Sequence, residues 1–451
     1  MHLATADVRT LLRDRKMTLC QMTVVAICAA INFLDGIDVL AMSLTASAID
    51  REWILGPERL GALLSASLVG MTIGALVVSP LADLFGRRTM ILGCLVLMSI
   101  GMLLSAGADS VALLSTSRVI AGLGVGGMTS CTGTLVVEYA SARRREFSLG
   151  CVTVGYPIGA VISGVCAVGL IAAFGWRSVF LMGAVGSLLL IPIVLWQLPE
   201  SIELLMARRP RNALQRINAT LNRLGIQRLA ELPPTVAIAQ QQKSSVLDVV
   251  RGGLLKRTVP VCFTYFMYML SFYFILNWAN KLTTELGFSD RSGISISVLT
   301  NLGGIVGGLA VGALAIRFGV MRVTVTVITV MAVAMMTFGV LPANLLLLGI
   351  AAVFIGFAMY GAAVGIYSIV AAAYPVAVRA TGVGLAISCG RFGSIFGPYL
   401  GGVLLAHGVG RGTLCVLLAI PALLAAVIIS RLPQIKVAHA SMADPAAVQR
   451  A

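Results

Sequence analysis

The residues of this sequence that could do chemistry are the few charges buried in long apolar runs. Asp35 and Asp38 lie in the run near 19 to 44, Arg118 in that near 111 to 138 and Arg391 in that near 380 to 405, with Glu138 close to an end. At the centre of a membrane-spanning helix, Asp or Arg costs about 2.5 to 3.5 kcal/mol on insertion scales. Groups kept at that cost move protons, bind charged substrates or pair with one another. Two carboxylates in a low-dielectric site do not both ionise easily, so one should hold a proton, and a nearby arginine favours its release. A substrate carboxylate that engages Arg118 would therefore free an acid to take up a proton.

Asp35 and Asp38 are three apart, hence on one helical face. Gly36 between them permits either close helix approach or a break. If the first span exits near Leu44, the acids lie roughly 9 to 14 Å below its outer end, and Arg118 lies about 10 Å down the fourth span at the helical rise. The three should then be within reach. A fixed ion pair between Asp35 and Arg118 is the competing, purely structural reading. Counted from Ala380, Arg391 sits about 16 Å in, near the midplane; it either meets substrate or bonds to backbone carbonyls. His2, His407 and His439 fall in a loop or the tails, so a proton carrier at depth should be Asp. In the seventh span Tyr265, Tyr268 and Phe272 recur at i, i+3 and i+7, beside Phe266, Tyr273, Phe274 and Trp278. That face suits stacking on an aromatic ring, though core filling and an interfacial belt use the same residues. Tyr360 and Tyr367 in the tenth span are open in the same way.

The elements that must position these groups follow from composition. The chain has 451 residues, 58% hydrophobic and 11% charged, with mean hydropathy +0.97. Soluble domains carry about 25% charged residues, so a soluble enzyme, a disulfide scaffold and a disordered chain are excluded. Apolar windows of spanning length occur near 19 to 44, 60 to 81, 89 to 107, 111 to 138, 147 to 172 and 177 to 197. They resume near 257 to 280, 294 to 316, 321 to 341, 344 to 370, 380 to 405 and 411 to 430. This predicts an all-α membrane protein of twelve transmembrane helices in two six-helix bundles, 19–197 and 257–431. A tail, 1–18, a polar linker, 198–256, and a second tail, 432–451, complete the chain. The linker holds Pro199, Pro210, Pro233 and Pro234 and should contain one amphipathic helix, its basic face lying on anionic lipid.

Of the 33 Lys and Arg, 25 fall in the tails and the loops on the same side of the predicted topology, which places both termini in the cytoplasm. The formal charge of +15 thus reports topology, and no nucleic-acid partner is expected. The nine cysteines lie within apolar runs without CxxC spacing, so no metal is expected. Gly122, Gly124, Gly126 and Gly127 imitate a dinucleotide loop but lack a preceding strand; small residues packing helices closely is the better reading. With no GxxxxGK(S/T) loop, ATP is not the expected energy source.

The segment Leu81, Ala82, Asp83, Leu84, Phe85, Gly86 returns 233 positions on as Leu314, Ala315, Ile316, Arg317, Phe318, Gly319. Tyr139 and Arg144 return as Tyr374 and Arg379. Parallel six-span repeats place a substrate site between the halves near the midplane. Asp83, Gly86, Arg87 and Arg88, with Glu138 through Arg145 and Leu198, Pro199, Glu200, Ser201, resemble the hallmarks of the major facilitator superfamily, although Ser79 and Leu84 depart from its loop motif. In the second copy Ile316, Val320 and Met321 also depart. Asn32, Phe33, Leu34, Asp35, Gly36, Ile37, Asp38 is similar to the DGxD signature of the aromatic acid:proton symporters, as is the string Tyr374, Pro375, Arg379 to Gly384 and Gly390 to Gly393.

The resemblance implies proton-coupled import of a benzoate-like acid, such as a hydroxybenzoate, protocatechuate or gentisate, across the bacterial inner membrane by alternating access. It is not the pattern of an enzyme, and no cofactor besides the coupling proton is implied. On this reading Asp35 and Asp38 couple protons, while Arg118, Arg391, Tyr265, Tyr268 and Phe272 bind substrate. Asp83, Gly86, Arg87, Arg88, Glu138 and Arg144 gate the cytoplasmic helix ends. The alternative is a proton-coupled transporter or exporter of another organic anion, such as an aliphatic carboxylate.

Overall fold

The computed structural model describes residues 17–229, 231–232, 249, 254–375 and 378–432. His2, His439, Pro233, Pro234 and most of both tails lie outside them. The first six long helices are α1 (Leu19–Trp53), α2 (Gly56–Phe85), α3 (Arg87–Ala106), α4 (Val111–Tyr139), α5 (Arg145–Phe174) and α6 (Arg177–Gln197). Two short helices follow, α7 (Ile202–Arg208) and α8 (Ala213–Arg223). The second six are α9 (Leu255–Thr284), α10 (Asp290–Phe318), α11 (Val320–Val340), α12 (Leu345–Ala373), α13 (Arg379–Ala406) and α14 (Arg411–Arg431). The linker therefore holds two described helices where the sequence suggested one. We call the face where α1 begins and α14 ends the near face, and the opposite one the far face.

Eleven of the twelve long helices are apolar enough over their described residues to cross a membrane. The exception, α13, carries Arg391, Pro398 and seven glycines, the composition of a helix that packs against protein and faces a polar interior. The largest departure from expectation is at α1. Charges at Asp50, Arg51 and Glu52 end the apolar window but not the helix, which continues to Trp53. Asp35 and Asp38 therefore lie roughly 22 to 27 Å from its far end at the helical rise, well below the expected depth.

The two bundles repeat one pairing scheme. In the first, α2 packs on α4, α1 on α5 and α3 on α6; in the second, α10 packs on α12, α9 on α13 and α11 on α14. Glycines make these approaches possible, because without a hydrophobic force between helices in lipid, association depends on close packing. A Cβ at Gly126 would lie 2.0 Å from the Met71 carbonyl oxygen, and one at Gly356 would lie 1.7 Å from that of Thr300. Gly122 and Gly124 are similarly blocked by backbone, so the glycine run of α4 packs helices. Gly36 does the same: its Cβ would fall 2.1 Å from the Tyr156 carbonyl oxygen, and α1 runs unbroken through it.

Gly126→Leu and Gly356→Leu should each destabilise their bundle by at least about 1 to 3 kcal/mol, seen as a lower melting temperature of the purified protein. Gly133→Leu, on the same α4 with nothing within 4 Å of where a Cβ would stand, should leave it unchanged.

Candidate functional site

Across the bundle interface the polar contacts are concentrated on one side. The Ser43 hydroxyl donates to the Asn277 carbonyl oxygen at 2.9 Å, and the Asn280 amide donates to the Ser43 carbonyl at 2.8 Å. Above them Ser47 and Thr284 hydroxyls meet at 2.9 Å, Lys281 Nζ binds Asp50 Oδ2 at 2.6 Å and Arg51 pairs with Asp290. Ser65 on α2 donates to the Ile395 carbonyl at 2.9 Å. Gly61 and Gly402 let α2 and α13 touch. All these contacts lie in the far half of their helices. Among the described residues no hydrogen bond or ion pair joins the bundles in the near half. The conformation is thus closed at the far face, and the closure includes an ion-pair layer that apolar windows could not reveal.

Beneath this closure lie the intramembrane charges. Arg118 and Asp38 are both fully buried, and the guanidinium grips both carboxylate oxygens at 3.0 and 2.9 Å and the Asp38 carbonyl at 3.0 Å. The Phe180 ring lies 5.5 Å from the guanidinium carbon. The fixed pair that Arg118 makes is therefore with Asp38, one turn from the Asp35 of the competing structural reading. Asp35 is 1% exposed and neither carboxylate oxygen has a hydrogen-bond partner. The charged groups close enough to act on it are Asp38 and, from the other bundle, Arg391.

Arg391 is half-buried, and among the described residues its guanidinium makes no hydrogen bond or ion pair; the bond to its position, from Ser394, goes to its carbonyl. The carbonyl-bound alternative for its side chain is thus not what the structure contains. Arg391 acts electrostatically on Tyr156 of α5 and on Tyr265 and Tyr273 of α9. Gly390 makes room for Tyr265, whose ring a Cβ would meet at 2.1 Å. Tyr360 of α12 hydrogen-bonds Asn301 of α10 at 2.8 Å. Its ring lies 6.4 Å from that of Tyr156 and 5.4 Å from that of Phe272, so aromatic residues from both bundles meet near the middle of their helices. Phe272 in turn stacks edgewise on Tyr268, at 5.7 Å. Tyr268 is fully buried and its hydroxyl donates to the Met359 carbonyl, which makes it a packing residue behind the cluster. Tyr367 is 53% exposed and lies two turns along α12 from Tyr360, on the same stripe.

Sequence reasoning does not single out Tyr156 or Asn301. The signal is an aromatic preceding Pro157 and a lone amide in an apolar run, neither of which identifies a cavity wall without knowing helix rotation.

At the near face the expected gating residues separate. Arg87 Nη1 donates to Glu138 Oε2 at 2.7 Å, and Glu138 also accepts from the Ser201 hydroxyl and the Glu203 N–H. Glu200 accepts from the N–H groups of Arg88 and Ser201. Gly86, at φ +107°, has no room for a side chain, since a Cβ would lie 2.4 Å from Glu200 Oε2. Asp83 and Arg144 are exposed and unpaired among the described residues. The cluster ties α2, α3, α4 and the linker together and does not reach the second bundle in this conformation. In the second copy Gly319 keeps the positive φ, +88°, while Arg317 stacks on Phe318; the acid is absent, as the sequence indicated.

Two repeated six-helix bundles, closed at one face around buried charges, define a multi-pass transporter fold. The family model of the Major Facilitator Superfamily matches residues 25–252 and 261–445, and the chain belongs to that superfamily. It is 33% identical to the gallate transporter of Pseudomonas putida over 430 residues, 94% of this chain and 95% of that one. It is 31% identical to the 4-hydroxybenzoate transporter PcaK of Acinetobacter baylyi over 438 residues, 94% of each. Within the superfamily it groups with these aromatic acid transporters, which are not enzymes. The solved xylose transporter XylE from E. coli, in a partially occluded inward open conformation, shares the fold at TM-score 0.73 and 18% identity, covering 92% of this chain and 98% of that one.

Asp38→Asn should destabilise the protein by about 3 to 5 kcal/mol because Arg118 is left as an uncompensated buried charge, and adding Arg118→Met should recover most of that loss. Melting of the single and double variants in detergent measures both. At the far face, Asp50→Asn or Lys281→Met should raise the reactivity of a Ser47→Cys thiol toward an impermeant maleimide about fivefold, the equivalent of about 1 kcal/mol. Unchanged labelling would mean that the layer does not hold the closure.

Proposed function

We propose that the protein is a proton-coupled symporter that imports an aromatic carboxylate across the bacterial inner membrane, both termini facing the cytoplasm. The observation that carries this reading is the pair of uncompensated groups at the interface between the bundles. Asp35 has no hydrogen-bond partner and Arg391 has no acid bonded to it among the described residues, although each is the other's electrostatic neighbour across the bundle interface.

A buried carboxylate with neither a hydrogen bond nor a free counter-charge is stable only as the neutral acid, since an isolated ionised group in hydrocarbon costs several kcal/mol even after relaxation. Arg391 can compensate either Asp35 or a substrate carboxylate. When substrate occupies the guanidinium, Asp35 loses its counter-charge and takes a proton. When substrate leaves, Arg391 again favours ionised Asp35 and the proton departs. The two ligands therefore enter and leave together. Arg118 and Asp38 hold α1 to α4 as a neutral unit, so Asp35 is the carrier and Asp38 supports it. Tyr265, Phe272, Tyr156 and Tyr360 offer ring faces, and the hydroxyls of Tyr156 and Tyr273, unbonded among the described residues, suit phenolic substituents. The relatives' names, gallate and 4-hydroxybenzoate transporters, agree with such a site. Orientation is supported by the basic residues gathered on the near face.

One proton moving with one monovalent anion is electroneutral, so the pH gradient supplies the drive. Proteoliposomes with an alkaline interior should accumulate labelled 4-hydroxybenzoate about tenfold per pH unit, and an imposed potential alone should do nothing. Straight-chain carboxylates should compete poorly. Asp35→Asn should abolish uphill accumulation while preserving substrate counterflow, and Arg391→Gln should abolish both. Uphill uptake by Asp35→Asn would refute the coupling assignment, and effective competition by aliphatic acids would favour the broader organic-anion reading.

A further inference from the structure

A polar cavity lies away from the intramembrane charges, at the near face, where α6 ends and the linker helices fold back. It has a volume of about 180 Å³ and is walled by Arg88, Trp196, Glu200, Arg216, Thr220 and Arg223 together with small and apolar side chains. Arg216, Thr220 and Arg223 stand at i, i+4 and i+7 on α8, one stripe of that helix. The adjoining stripe, with Ile217 and Leu221, is fully buried. The helix is therefore seated by its apolar face and offers its basic stripe to the cavity.

The charge there is not balanced. Among the described residues Arg216 and Arg223 have no ion pair or side-chain hydrogen bond. Arg88 donates one N–H to the Leu195 carbonyl, but its Nε is buried without a partner. The single acid, Glu200, is already committed through Oε1 to the N–H groups of Arg88 and Ser201, while Oε2 abuts Gly86. Three guanidinium groups thus face one engaged carboxylate. Arginine forks match phosphate oxygens in paired, charge-assisted hydrogen bonds.

Position specifies the source of the phosphate. Trp196, in the last turn of a spanning helix, is 76% exposed, and Leu195 beside it is 45% exposed. An exposed Trp at the end of such a helix marks the headgroup level of the bilayer, and basic pockets at that level take anionic lipid headgroups. We infer that this cavity binds the phosphate of an anionic phospholipid, which fastens α8 to the ends of α3 and α6 beside the Arg87–Glu138 cluster. The inference is independent of what the protein carries.

The test compares full-length protein in nanodiscs of phosphatidylcholine alone, of phosphatidylcholine with phosphatidylglycerol, and of phosphatidylcholine with added inorganic phosphate. Phosphatidylglycerol should raise the melting temperature and remain bound through native mass spectrometry. Arg216→Gln with Arg223→Gln, both on exposed positions, should weaken its retention roughly 30-fold. Arg228→Gln, outside the cavity, should not. Equal stabilisation by inorganic phosphate, lost in the same double variant, would keep the phosphate site but assign it to a soluble anion. No stabilisation by either additive, or undiminished lipid retention by the double variant, overturns the proposal.

Discussion

The constraint on which the rest of the structure depends is the absence of a permanent partner for Asp35. Charges within hydrocarbon are tolerated when paired, and Asp38 with Arg118 shows how completely this chain can pair them: two oxygens, two nitrogens and a carbonyl in one closed unit. One turn earlier on the same helix, an identical side chain is left with nothing. A positive neighbour not already paired, Arg391, stands on the other bundle, half-buried and equally unbonded among the described residues. A fold selected for rigidity alone would close this gap; on the proposed function it stays open so that a proton and an anion can be taken up together.

Helix packing serves the same end. Glycines bring α1 against α5 and α9 against α13 to backbone contact, fixing Asp35 beside Tyr156, and Arg391 beside Tyr265, on rigid pairs of helices. The bundles meet by helix packing and ring contacts, while their hydrogen bonds and two ion pairs among the described residues are confined to the far half, the part of the interface that can be broken and re-formed without disturbing either core. Because Arg118 locks α1 to its own bundle, movement of one bundle against the other carries Asp35 relative to Arg391. On the proposed function, the same displacement couples substrate access to proton affinity.

Much of this is legible in the sequence. Helix number, the two halves and the buried charges follow from hydropathy, because the hydrocarbon core imposes one length and one polarity on every span. Gly86, Arg87 and Glu138 are also visible, since a tight turn and its charges must recur in order. What cannot be read is which arginine belongs to which acid. Asp35 and Asp38 lie on one face, and a difference of one turn decides which of them meets Arg118, a matter of helix rotation and depth. The depth itself differs from expectation, because α1 continues nine residues beyond the apolar window on charges that find partners at the far face. Tyr156, Tyr360 and Asn301 are obscure for a related reason: an aromatic residue or amide in a span has no direction until its neighbours are placed.

The most direct test of the central exchange is proton uptake on binding, followed with a pH indicator in weakly buffered detergent solution near neutral pH. If substrate and Asp35 compete for Arg391, adding 4-hydroxybenzoate as its anion to purified protein should remove about one proton from solution per substrate bound, a signal absent from Asp35→Asn protein that still binds. Saturable binding by the unaltered protein with no change in pH would contradict the account.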